Sequence, residues 1–217
     1  MTYAQSLEAG EARNRLLSSI AYALATAQPG KGMDWATRLP EGGARDTFIS
    51  SFASGLAQNS MSQATNFVRQ LPAGDTRDRA TLSVVTSWAN NDPLAAAAWA
   101  VTFPAGDTRD RALQNAVSRW ADNDPAAAGR WLAALPEAQV PEGVVQSYIN
   151  TTLQSYPELA APWAEKISRT RLRQATIERI ARRWLQTDPT AARAWLEKTS
   201  LPAERKQQLL DRANSNQ

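Results

Sequence analysis

The sequence predicts an all-α protein, a solenoid of about six two-helix repeats behind a leading N-terminal helix. Three observations predict it. Large side chains return every 32 residues: Trp35, Phe67, Trp99, Trp131, Trp163 and Trp195 form one series, and Leu24, Leu56, Trp88, Trp120, Thr152 and Trp184 a second. Prolines at 29, 93, 125, 157 and 189 and arginines at 13, 45, 77, 109, 173 and 205 keep the same interval. Between these marks the apolar residues follow helical spacing, as in Ala96, Trp99, Ala100 and Phe103. A unit of this size cannot bury its own apolar face and must stack on its neighbours.

Each element follows from local chemistry. Residues 5–27 read as a lone leading helix with Leu16, Leu17, Ile20 and Leu24 inward. Repeats begin at about residue 28. Asp92-Pro93, Asp124-Pro125 and Asp188-Pro189 start first helices, because Asp caps an N-terminus and Pro suits the first helical position. Ser60-Met61 does the same without proline. Pro104 ends its helix, and its counterparts are Pro40, Pro72 and Pro136, then Ser168 and Ser200. Asp107 is expected to cap the second helix, with pairs Asp75–Arg79 and Asp107–Arg111 on its surface. Residues 141–156 depart from the pattern: Pro141 replaces Arg, Thr152 replaces Trp and Tyr156-Pro157 replaces Asp-Pro. This is either ordinary drift between repeats or a joint or contact patch. Residues 213–217 read as a frayed tail. The whole chain, 1–217, is expected to form one repeat domain. The indoles are expected to wedge between hairpins and dominate stability, so that Trp99→Ala costs about 3–5 kcal/mol.

Trp99, Trp120 and Pro125 occupy places like those of the tetratricopeptide consensus, and the layout resembles that family of helical hairpin solenoids over residues 5–213. The period here is 32, and Ala100, Val101, Thr102 and Phe103 stand where the family has Leu-Gly and a later Tyr. The resemblance implies a right-handed superhelix whose groove, lined by first helices, binds peptides or proteins.

Composition removes several chemistries. The chain has no Cys and no His, so disulfides, thiolate nucleophiles, Cys-based zinc sites and histidine bases do not arise. No Gly-rich phosphate loop, nucleophile elbow or metal-ligand cluster is written in it, and Asp122 and Asp124 fall at helix ends. The reading is of a non-enzymatic protein with no cofactor and no metal. The most apolar stretch, residues 94–103, is too short to cross a bilayer, and no secretory signal is expected from "MTYAQSLEAGEARNR". Cytoplasm and periplasm fit equally well.

Three functions are open at this level. A protein or peptide partner is expected along first-helix positions that do not face inward: Gln63, Asn66, Arg69 and Gln70, then Val101, Thr102 and Arg130, then Glu165, Lys166, Arg193 and Lys198. Small residues such as Ala97 and Gly129 join that lining. A nucleic acid or other polyanion is the second partner, because the net charge of +3 is unevenly spread. Residues 1–150 hold 12 basic and 14 acidic side chains, and residues 151–217 hold 12 and 7. Its candidates are Arg171, Arg179, Arg182 and Arg183, which a solvated helix face explains as well. Self-assembly through end repeats, as a homo-oligomer or as a module of a larger protein, is the third. The recurring arginines at 45, 77 and 109 read as structural, bridging hairpins or covering a Trp face.

Overall fold

The computed structural model describes residues 10–215, and it is helical throughout with no strand among those residues. The leading helix is α1 (Glu11–Ala27). Six hairpins follow: α2 (Pro29–Arg38) with α3 (Gly43–Asn59), α4 (Met61–Gln70) with α5 (Asp75–Ala89), and α6 (Pro93–Val101) with α7 (Asp107–Asn123). Then come α8 (Pro125–Ala134) with α9 (Glu142–Thr152), α10 (Pro157–Ala164) with α11 (Thr170–Thr187), and α12 (Pro189–Glu197) with α13 (Ala203–Ser215). This is the consecutive helix-on-helix packing of an all-α solenoid. The packing divides between Ala116 and Val117, inside α7, into two compact units where the sequence suggests one domain. Residues 5–9 of the expected leading helix lie outside the described residues. Of the expected frayed tail, residues 213–215 belong to α13, and residues 216–217 also lie outside.

The helix starts show which sequence signals are local. Asp92, Asp124 and Asp188 each accept the N–H of the residue three positions on, at 2.9–3.0 Å, and Ser60 accepts that of Gln63 at 3.5 Å. Asp75 and Asp107 do not cap: each is the first residue of its helix. The caps of α3 and α5 are Gly42 and Gly74, which make no side-chain bond. Gly42, Gly74 and Gly106 have φ of 134°, 138° and 153°, a backbone region that a Cβ disfavours. The turn therefore demands glycine, and the acid behind it gains only from the helix dipole. Position 138 is Ala, and there a short 3₁₀ turn, Glu137–Gln139, replaces the glycine turn.

In the first unit, second helices pack directly on one another, α1 on α3 and α3 on α5, with α2 and α4 laid across them. Close approach needs small residues: a Cβ on Gly55 would lie 2.8 Å from the Ala25 Cβ. Phe48, Ile49, Phe52, Leu56, Phe67, Val68 and Val84 fill the core between. The indoles are less buried than expected. Trp35, Trp88 and Trp99 are half-buried in this unit, and Trp131, Trp184 and Trp195 in the other, while Trp120 and Trp163 are buried. Six of the indoles meet at the junction of one hairpin with the next, in the Trp88–Trp99, Trp120–Trp131 and Trp184–Trp195 pairs, whose centroids are 5.6–5.9 Å apart. An indole at such a junction leaves its outer rim in water, whereas Ala96, Ala100 and Ala128 behind it are fully covered.

Two of the recurring arginines serve their own hairpins. Arg45 Nε donates to the Ala36 carbonyl at 3.0 Å, and Arg173 Nη1 to that of Ile167 at 2.9 Å, satisfying the C-terminal end of the first helix. Both bonds stay within one hairpin, whereas Arg205 of the same series lies 3.9 Å from Glu178 of the hairpin before it. Carboxylates do cross. Asp46 accepts Thr76 Oγ1 at 2.6 Å and Arg79 at 2.7 Å, so Arg79 pairs between hairpins and not with Asp75. No Asp107–Arg111 ion pair is formed among the described residues.

Candidate functional site

The second unit places a trough of about 340 Å³ between the first helices α8 and α10. Its floor exists because of three residues. Gly129 carries no side chain, and a Cβ there would meet the Tyr148 hydroxyl at 2.5 Å. Tyr148, buried on α9, occupies that space and donates to the Pro125 carbonyl at 2.9 Å. Its ring meets Trp163 of α10 edge-on at 5.5 Å. Burial, with the Glu158 charge, pushes the phenol up to about 12, so Tyr148 is a neutral donor at physiological pH.

The walls are apolar and the rim is charged. Ala126 and Ala133 of α8 face Leu159 and Pro162 of α10 across the trough. Arg130 stands exposed on one side. On the other are Glu158 and Lys166, whose ammonium lies 5.3 Å from the centre of the Trp163 ring. Pro162 is inside α10. It has no N–H, so the Glu158 carbonyl has no donor four residues on. An apolar slot with a few convergent polar groups is the arrangement that small side chains and ligands enter.

Of the residues singled out in the sequence for partner binding, Gly129, Arg130 and Lys166 share this trough. Gln63, Asn66, Arg69 and Gln70 are exposed on α4 in the first unit, with Arg69 bonded to Asn66 at 2.8 Å. Thr102 is exposed but turns its hydroxyl onto the Trp99 carbonyl at 2.7 Å, and Val101 is half-buried. Glu165 accepts the Ser200 N–H at 2.7 Å and hydroxyl at 2.8 Å, tying one hairpin turn to the next. Arg193 donates to Asn214 at 2.6 Å, and Lys198 is exposed at the end of α12. One further expectation is corrected, since Ala97 is fully buried, while Gly129 lines the trough as the seat of Tyr148. First helices thus bury a wider face than the i, i+3, i+4 stripe.

The arginines of α11 are largely engaged by the protein. Arg179 donates to Asn150 at 2.9 Å and Arg183 to the Gln154 carbonyl at 2.6 Å, both on or just after α9. Arg182 lies 3.5 Å from Glu178, and Arg171 is exposed on the first turn. The outer face of α1, α3 and α5 holds a second hollow, of about 440 Å³, but many of its hydroxyls are engaged by the protein: Tyr22 donates to Ser54 at 3.0 Å, Ser51 to Ser18 at 2.9 Å, and Ser83 and Ser87 to main-chain carbonyls. No helix among the described residues is long and apolar enough to cross a membrane, and no group of acidic side chains there could hold a metal ion.

The sequence did signal the trough, in Pro162 inside a first helix and in Gly129 amid alanines. Only the pairing of Gly129 with Tyr148, 19 positions on, needs the fold. No family model, curated protein or solved structure matches the chain.

Proposed function

We propose that the chain is a non-enzymatic interaction module, a tetratricopeptide-like helical repeat that binds a segment of a partner protein along its first helices. One observation carries the reading: the α8–α10 trough joins an apolar floor to the two cations, Arg130 and Lys166, on its rim. The floor supplies burial and the rim supplies direction, the division of labour seen in protein interfaces generally. A polyanion fits less well, because Arg179 and Arg183 already hold α9.

The test is affinity capture from cells with the wild-type chain and with Arg130→Glu/Lys166→Glu, both rim positions being exposed. The double variant is expected to lose a partner that the wild type retains, while Arg171→Glu/Arg182→Glu retains it. Capture of an unchanged set of partners by the Arg130/Lys166 variant overturns the trough as the binding site.

A further inference from the structure

The Proposed function leaves open what enters the trough, and the trough's own chemistry narrows it. Three groups on it are incomplete. The first is the apolar slot over Gly129, Tyr148 and Trp163, whose about 340 Å³ holds a few side chains and not a folded domain. The second is the Glu158 carbonyl. Pro162 stands where the next turn of α10 would present an N–H, so this acceptor lacks its helical donor, and both residues form the same wall. The third is the rim, where Arg130 and Lys166 outnumber Glu158. Lys166 is held over the Trp163 face, a placement that keeps the ammonium at the mouth.

We propose that the trough takes an extended peptide segment of a partner, with an apolar side chain in the slot, a backbone N–H on the Glu158 carbonyl and an acidic side chain at Arg130 and Lys166. This rests on the trough being the binding site. An extended segment suits that point, because it offers N–H groups along its length, whereas a helix interior or a central strand has none free. Pro162 then has a function that its cost to the helix does not otherwise explain. It weakens α10 and leaves the Glu158 carbonyl without its helical donor. At the same register the other first helices carry Asp34, Asn66, Ala98, Arg130 and Ala194, each of which has an N–H.

The probe is a fluorescent synthetic peptide, Gly-Ser-Gly-Leu-Phe-Glu-Glu-Gly-Ser-Gly, titrated by anisotropy against the full chain. Replacing Glu-Glu by Lys-Lys, or Leu-Phe by Ala-Ala, is expected to weaken binding about tenfold or more. Methylating the backbone amides one at a time is expected to find a single sensitive amide. Pro162→Ala supplies the decisive arm. Restoring the N–H closes the α10 hydrogen bond, so the melting temperature rises while affinity for the peptide falls, and misfolding cannot produce that pair of changes. Equal affinity for the Lys-Lys peptide, or unchanged affinity in Pro162→Ala, overturns the proposal. If cellular capture still depends on Arg130 and Lys166 in that event, the trough stands as the site and only the occupant's chemistry falls.

Discussion

Two aromatic residues, Phe52 and Tyr148, show how the repeats exchange side chains without losing their packing. In the two hairpins whose second helix lacks the recurring Trp, at Leu56 and Thr152, an aromatic stands one turn earlier, at Phe52 and Tyr148; the leading helix, with Leu24, has Ile20 there, and the Trp-bearing helices have Val84, Ala116 and Ile180. The displaced ring still reaches the next first helix, Phe52 to Phe67 at 5.1 Å and Tyr148 to Trp163 at 5.5 Å. It also crowds its own first helix, and glycine relieves the crowding at both sites: a Cβ on Gly32 would lie 2.1 Å from the Phe52 ring, as one on Gly129 would press on Tyr148. Burial at these sites decides which aromatic matters most. Phe52 is fully buried and Trp99 is half-buried. Phe52→Ala is therefore expected to cost about 3–5 kcal/mol and Trp99→Ala clearly less, about 1–3 kcal/mol. Urea unfolding of the two variants checks the order, and an equal or larger loss from Trp99→Ala would restore the indoles to the dominant role that their periodicity suggested. Spacing identifies which residues recur. It does not say how much of a large ring a neighbour covers, and that is why the Trp series was legible and its burial was not.

Hairpin turns carry the same lesson for elements. The Asp-Pro starts were readable because cap and capped N–H lie within four residues of one another. The bonds between turns were not, since they join residues 26 to 35 positions apart. Their logic becomes plain in the fold. Proline at 40, 72, 104 and 136 gives way to Ser168 and Ser200, and the substitution creates an N–H that Pro lacked. Glu142 takes the N–H and hydroxyl of Ser168, and Glu165 takes those of Ser200. These contacts perturb the Glu142 carboxyl. The Ser168 hydroxyl, then its N–H, and the nearby Arg169 hold it below its ordinary 4.5. A carboxyl whose folded value is lowered binds fewer protons folded than unfolded. Its contribution is thus complete above about 4.5 and is lost as the pH falls through the lower folded value. Glu142→Gln is expected to melt below the wild type at neutral pH and to converge with it in acid. Melting curves across that range test the clasp, and a gap that persists or widens in acid would show that the carboxylate charge is not what holds the turn. The irregular hairpin at 141–156 is accordingly tied at Glu142 and filled at Tyr148, which argues for compensated drift more than for a joint.

At the scale of the whole molecule, the main contacts within each of the two units run between helices that are neighbours in sequence or one hairpin apart. In such an array, stability is close to a sum of hairpin terms and nearest-neighbour terms, so a lesion spreads only as far as its neighbours transmit it. The fold class was legible for this reason: a nearest-neighbour architecture repeats its chemistry at a fixed interval, and the interval is visible in one sequence. The function was less legible, because a binding trough needs a departure from the repeat, and Gly129, Tyr148 and Pro162 are departures whose meaning lies in their juxtaposition. The additive picture makes a prediction that a single cooperative globule does not share. Phe52→Ala should raise amide hydrogen exchange in α1–α4, whose core it joins, and leave exchange in α9–α12 close to wild type at low denaturant. Exchange measured helix by helix by mass spectrometry decides it. Loss of protection at an equal rate from residue 10 to residue 215 would mean that the hairpins unfold as one body, and that the repeat is a record of the sequence and not a division of its stability.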